Sequence, residues 1–253
     1  MKVLFTICGR AGSKGIKNKN ICKFINKPLP YYTISAIDLY LKKTCLNIEY
    51  DIVVNSDSLE LLKIMERNPL REVEIIVRSP ELGDDSVGKI EVVNDCLYKM
   101  EKRKGYTYDI VVDLDITSPL RTVNDIDCLI KKHIDKNPDV TTSVTTARRN
   151  PYFNQIKKVE HGFKRVIESD YTARQQTPEI FDMNASLYAY SPEYLRTGKG
   201  VLDGYCECIK MYDTGILDLD NTNDFELMEV IAKYLFKENN QFMEIYENIP
   251  LYG

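Results

Sequence analysis

The chain has 253 residues, with 34 Lys and Arg against 38 Asp and Glu, a net charge of −4, and 43% apolar residues. That length is ample for one large domain, or for one domain with a small lobe, and the composition is that of an ordinary water-soluble fold. The negative charge and the lack of any RNA- or DNA-binding motif argue against a nucleic-acid module, and no apolar run approaches the ~20 residues that span a bilayer.

The first predicted element is Val3-Leu4-Phe5-Thr6-Ile7-Cys8, an apolar run ending at glycine, as a buried parallel strand does. It is too short for a secretory signal, and a charged loop follows at once, so a cytoplasmic protein is expected. The loop, Gly9 to Asn20, carries Arg10, Lys14, Lys17 and Lys19, with Ser13 and Asn20 as neutral hydrogen-bonding groups. No acidic residue precedes Asp38. Gly9, Gly12 and Gly15 allow close backbone approach and positive φ. Such a loop suits a polyanion, most simply a nucleoside triphosphate; a solvated basic loop is the plainer reading. The spacing fits neither a P-loop nor a dinucleotide fingerprint.

Lys27-Pro28-Leu29-Pro30 separates two elements, and Tyr31 to Lys43 has helical spacing. Asp51 to Asn55 reads as a second strand, with Ser56-Asp57 as the cap of a helix that buries Leu59, Leu62, Ile64 and Met65. Val73 to Val77 is a third strand. Val87 to Met100 is a helix, Asp109 to Asp115 a fourth strand, Thr122 to Lys136 a helix, and Val140 to Thr146 a strand rich in β-branched residues. This alternation predicts right-handed βαβ crossovers and a three-layer α/β/α, Rossmann-like, mostly parallel sheet. Ligands in such folds sit at the carboxyl ends of strands, where the basic loop leaves strand one.

The rhythm breaks over residues 150–176. Gln155 to Val159 and Phe163 to Ile167 read as a hairpin turning at His161-Gly162, a lid or dimer arm inserted in one domain spanning 1–253. Asn184 to Tyr190 resumes a core strand, and Ile209 to Asp220 supplies one or two more. Phe225 to Phe236 closes the fold as a helix with Leu227, Met228, Ile231, Tyr234 and Leu235 inward and Asn223 with Glu226 as its cap. Of the seven cysteines, Cys8, Cys22, Cys45, Cys96 and Cys128 lie in or beside apolar runs, as reduced core thiols do. Cys206 and Cys208 lack a second pair for zinc, and two histidines make a His-rich metal site or a Ser-His-Asp triad a poor reading.

In Asp218-Leu219-Asp220 both carboxylates share one strand face, with Leu219 turned to the core. A close carboxylate pair suits a cation such as Mg²⁺, or else marks a polar strand end before a helix.

Four blocks, in this order, resemble the acylneuraminate cytidylyltransferases, the CMP-sialic acid synthetase family. They are Arg10-x-x-Ser13-Lys14-Gly15-x-x-x-Lys19-Asn20; Arg78-Ser79-Pro80-Glu81-Leu82 with Asp84-Asp85; Thr117-Ser118-Pro119-Leu120-Arg121; and Arg174-Gln175-Gln176-x-Pro178 followed by Asn184-Ala185-Ser186-Leu187-Tyr188. The chain departs from the pattern at Cys8-Gly9, where the family has Pro-Ala; at Asp115, where many members have glutamine; and at Ala185, where they have glycine. The resemblance implies a nucleotide-diphospho-sugar transferase type of fold, transfer of CMP from CTP to a nine-carbon acidic keto sugar, and a homodimer built through the hairpin. It implies that Arg10, Lys14, Lys19, Asp218 and Asp220 are catalytic. Arg10, Gly12, Ser13, Lys14, Lys19, Asn20, Arg78 and Ser79 would bind the nucleotide, and Asp115, Arg174, Gln175, Asn184 and Tyr188 the sugar. Asp218 and Asp220, with Asp115 assisting, would hold Mg²⁺ or another divalent cation such as Mn²⁺. The rivals are a nucleotidyltransferase for Kdo or a sugar 1-phosphate, and a non-catalytic nucleotide-binding homologue.

Overall fold

The structure is a computed structural model that describes residues 1–12, 15–84, 87–213, 219 and 221–250. Strand β1 is Lys2–Cys8. A small hairpin of β2 (Lys23–Phe24) and β3 (Lys27–Pro28) leads into helix α1 (Leu29–Lys43). There follow β4 (Glu49–Ser56), α2 (Leu59–Glu66), β5 (Glu74–Val77), α3 (Lys89–Lys104), β6 (Ile110–Leu114), α4 (Val123–Lys136) and β7 (Val140–Thr146). The rest comprises β8 (Ile156–Lys158), β9 (Phe163–Arg165), β10 (Phe181–Tyr190), α5 (Pro192–Leu195), β11 (Cys206–Lys210), α6 (Thr222–Glu238) and α7 (Asn240–Asn248).

Seven strands form the main sheet in the order β11-β7-β10-β6-β1-β4-β5. β1 pairs in parallel with β4 and β6, β4 with β5, and β7 with β11; β10 runs antiparallel between β6 and β7. Alternate residues of each strand face opposite layers. Val3, Phe5, Ile7, Ile52, Val54, Ile110 and Val112 pack with α1, α2, α4, α6 and α7. Leu4, Val53 and Val111 pack with α3 and α5 on the other face. Both faces are thus covered, which is why the strands read as unbroken apolar runs.

The chain leaves β1 for β4 and β5 on one side, then returns for β6 on the other. This order reversal opens a crevice beyond the carboxyl ends of β1 and β6.

Several boundaries differ from expectation. Ser58, not Ser56-Asp57, caps α2, and its side chain accepts from the Leu61 amide. α2 buries Leu61, Leu62 and Met65, while Leu59 is 63% exposed. α6 is capped by Asn221, which accepts from the Asp224 amide, rather than by Asn223 with Glu226. It buries Met228, Ala232 and Leu235 and leaves Leu227 and Tyr234 exposed. Cys45 and Cys128 are exposed thiols rather than core ones. β8 and β9 form the expected hairpin in shorter form, with Gly162 at φ +90° in its turn. β11 starts three residues before Ile209. Any continuation through 214–218 or 220 lies outside the described residues.

Candidate functional site

A cavity of about 390 Å³ occupies the crevice and is walled by three segments. The first is the basic loop. Gly9 is packed so closely that a Cβ there would lie 2.6 Å from Leu61 Cδ2 and 2.8 Å from Ile116 Cδ1. Glycine therefore lets β1 deliver the loop directly into the crevice. Gly12 takes φ +72°. The loop is pinned from both sides: the Ala11 amide donates to Asp57 Oδ1 (2.7 Å), and Asn20 Nδ2 donates to the Arg10 carbonyl (3.0 Å). Asp57 thus tethers the loop and does not cap a helix. Arg10, Lys19 and Asn20 line the cavity. Ser13 and Lys14 lie outside the described residues.

The second wall is made by Arg78, Leu82, Asp84, Val87, Lys89 and Val92. Arg78 is buried, and its guanidinium donates to Asn55 Oδ1 (2.8 Å) and to the Asn55 carbonyl (3.1 Å). It is braced against β4 while still lining the cavity. Leu82, Val87 and Val92 give this wall an apolar surface. Ser79 opens the 3-10 turn at Pro80–Leu82 and is not a lining residue.

The third wall follows β6. Asp115 Oδ1 accepts from the Thr117 amide (2.9 Å) and from Thr117 Oγ1 (2.8 Å). Its Oδ2 meets Lys89 Nζ at 2.8 Å, and the same ammonium lies 3.1 Å from Asp113 Oδ2. Burial by itself would raise the Asp115 pKa, but Lys89 and Thr117 together hold it well below the ordinary carboxylate range. Burial likewise opposes the Lys89 charge, and Asp113 and Asp115 overcome it, lifting that pKa well above the usual lysine value. Lys89 lines the cavity and was missed in the sequence reading. A lysine at the start of a helix, 26 residues from its partner, gives no local pattern to read.

Beneath this wall Arg121 is buried. It donates to the Asp115 carbonyl, to Ser186 Oγ (3.3 Å) and to Thr33 Oγ1 (3.2 Å). The arginine of the Thr-Ser-Pro-Leu-Arg block is thus an internal brace for the turn that presents Asp115. The same turn is tied to β10, since the Asp115 amide donates to the Ser186 carbonyl at 3.1 Å. Ala185 takes φ +52° at the register break between Met183 and Tyr188. That left-handed conformation favours glycine, so the alanine departs from the Asn-Gly pattern at a position with a conformational reason for glycine.

Of the other expected sugar contacts, Tyr188 lies behind the third wall, while Asn184, Arg174 and Gln175 are not lining residues of this cavity. Asn184 is buried between strands, accepting from Ser143 Oγ (2.5 Å) and donating to Met211 Sδ (3.4 Å). Tyr188 is buried, stacked on Tyr190, with Lys89 Nζ 5.1 Å above its ring. Arg174 and Gln175 line a separate depression of about 330 Å³ with Asn150 and Thr146. There an Arg174 N–H reaches the Ala147 carbonyl at 3.3 Å.

Asp218 and Asp220 lie outside the described residues; Leu219 between them is fully buried, as expected. Among the described residues no group of three His, Cys, Asp or Glu could hold a metal ion. Asp115, expected as a ligand, has both oxygens engaged by Lys89 and Thr117. The described part of the site therefore does not fit a metal at Asp115.

Comparison with known proteins matches residues 4–250 to the family model described as Cytidylyltransferase. The chain belongs to the cytidylyltransferase family. This cytidylyltransferase is 33% identical over 240 residues to the post-translational flagellin modification protein B of Campylobacter coli, covering 94% of this chain and 97% of that one. It is 32% identical over 232 residues to the CMP-N,N'-diacetyllegionaminic acid synthase of Campylobacter jejuni, covering 91% and 94%. Among solved structures, a CMP:2-keto-3-deoxy-manno-octonic acid synthetase complexed with CTP aligns with TM-score 0.64 and 14% identity over 92% of this chain and 99% of that chain. At that identity the likeness shows the fold, a mostly parallel sheet between helical layers. No helix among the described residues is long and apolar enough to cross a membrane.

Proposed function

We propose that the chain transfers CMP from CTP to a nine-carbon acidic keto sugar of the sialic, legionaminic or pseudaminic acid type, releasing pyrophosphate. The observation that carries this reading is the cavity at the order reversal. Arg10, Lys19 and Arg78 face it together with an apolar wall, a combination suited to a triphosphate and a flat base. The names of the relatives support the acceptor class. The sugar's anomeric hydroxyl gives its proton to solvent as its oxygen attacks the α-phosphorus in line, the bond to the β-phosphate oxygen breaks, and pyrophosphate departs. Such transfers depend on positioning and charge neutralisation. Arg10, Lys14 and Lys19 hold the triphosphate and stabilise the leaving pyrophosphate. Asp218 and Asp220 are the proposed holders of Mg²⁺, which supplies further neutralisation of phosphate charge when bound. Arg174, which lines the separate depression beside Asn150, is the proposed partner of the sugar carboxylate, since a guanidinium grips one with paired hydrogen bonds.

We place the protein in the cytoplasm as a homodimer joined through the hairpin of residues 150–176. Its Ile156 and Phe163 are 62% and 66% exposed, as a partner-binding arm requires. Pyrophosphate release from CTP, measured with sialic, legionaminic and pseudaminic acids and Mg²⁺, tests the reaction. Turnover with at least one is expected; silence with all three, from folded protein, would refute it.

A further inference from the structure

We propose that Lys89 is an internal counter-ion that takes the place of a divalent cation between Asp113 and Asp115, and so fixes Asp115 as an anionic hydrogen-bond acceptor at the cavity wall. Asp113 is fully buried. Its Oδ1 accepts from Thr6 Oγ1 (2.7 Å), while its Oδ2 has no hydrogen-bond partner and faces Lys89 Nζ at 3.1 Å. A buried carboxylate oxygen with no hydrogen-bond donor, beside a second carboxylate, is ordinarily the mark of a cation site. Here the cation is built into the chain.

The position of Lys89 supports this. It is the first residue of α3, where the helix dipole disfavours positive charge. Its side chain is only 28% exposed, so it has surrendered much of its hydration. Two carboxylates and the face of Tyr188 offset both penalties. A surface lysine would gain little from such a place.

The ammonium also fills the space that a metal would need. Hard divalent ions sit about 2.0–2.6 Å from carboxylate oxygens, inside the contacts that Nζ already makes. A metal cannot share Asp115 Oδ2 while Lys89 stays. Lys89 is therefore a positioning residue. It leaves the divalent ion to other ligands and holds Asp115, 22% exposed, facing substrate with a fixed carboxylate. That carboxylate favours N–H and O–H groups and repels phosphate, which biases how substrates lie in the cavity.

Binding of Mn²⁺ to the full chain, followed by electron paramagnetic resonance, tests this without any acceptor sugar, so its failure is distinct from failure of the proposed reaction. Lys89→Met is expected to bind about one more Mn²⁺ per chain than the natural protein, because the vacated carboxylate pair becomes a metal site. Lys89→Arg and the double variant Lys89→Met/Asp115→Asn are expected to match the natural protein. Equal Mn²⁺ counts in the natural protein and Lys89→Met would overturn the proposal. Where Lys89→Met does not fold, Asp115→Asn alone decides: an unchanged count supports the proposal, and a lost ion overturns it by making Asp115 a ligand.

Discussion

His133 on α4 is buried, with Nδ1 3.0 Å from Thr141 Oγ1 on β7. Burial lowers its pKa from 6.5 to about 4. In this window the unfolded chain binds the proton and the folded chain does not, so stability falls as pH falls from about 6.5 and levels off below about 4. With those two values the penalty is slight at about pH 7 and about 2 kcal/mol at about pH 5. In His133→Gln this difference disappears, while contributions from carboxylates remain in both proteins and cancel. Urea unfolding of each protein at the two pH values measures it. The natural protein should lose about 2 kcal/mol more than the variant on acidification. Equal losses would refute the reasoning, since His133 would then be titrating alike in the folded and unfolded states.

Lys14→Ala and Asp218→Ala are each expected to abolish turnover while leaving the circular dichroism spectrum and the unfolding midpoint of the natural protein; retained turnover in either would remove that residue from the site. Ala185→Gly relieves a left-handed φ of +52°. Relief contributes about 1–2 kcal/mol and the freer unfolded chain costs about 0.4–1 kcal/mol, leaving a net gain of about 1 kcal/mol. Calorimetry should show a melting temperature higher by about 2–4 °C; a lower one would contradict the strain.

The layers were legible because strands covered on both faces read as unbroken apolar runs alternating with segments of helical spacing. That Val3, Phe5 and Ile7 face one layer and Leu4 the other is decided by packing, since the run is apolar throughout. The basic loop was legible for a different reason, as a charge imbalance confined to one glycine-rich turn. Helix phase was less so. α6 carries apolar residues nearly all round, so Leu227 and Tyr234 could be placed inward as readily as Ala232, and only packing against α7 and the sheet decides. Asn221 and Asn223 both offer a cap, and their spacing alone does not choose between them. At the third wall Asp115 was named, but its partner Lys89 escaped. Lys89, Asp113 and Asp115 meet only because the fold brings the first residue of α3 to the carboxyl end of β6, and Arg121 of the Thr-Ser-Pro-Leu-Arg block is buried as a brace. Long-range ion pairs leave no periodic trace in a sequence.

The central claim is that the acceptor sugar's own oxygen becomes the bridge to CMP. Equilibrating the sugar in ¹⁸O-water labels its anomeric hydroxyl, and mass spectrometry after turnover with CTP locates the label. The account predicts ¹⁸O between the sugar carbon and the α-phosphorus, with unlabelled pyrophosphate. Free CMP with no sugar attached, or a CMP-sugar without the bridging label, would contradict it.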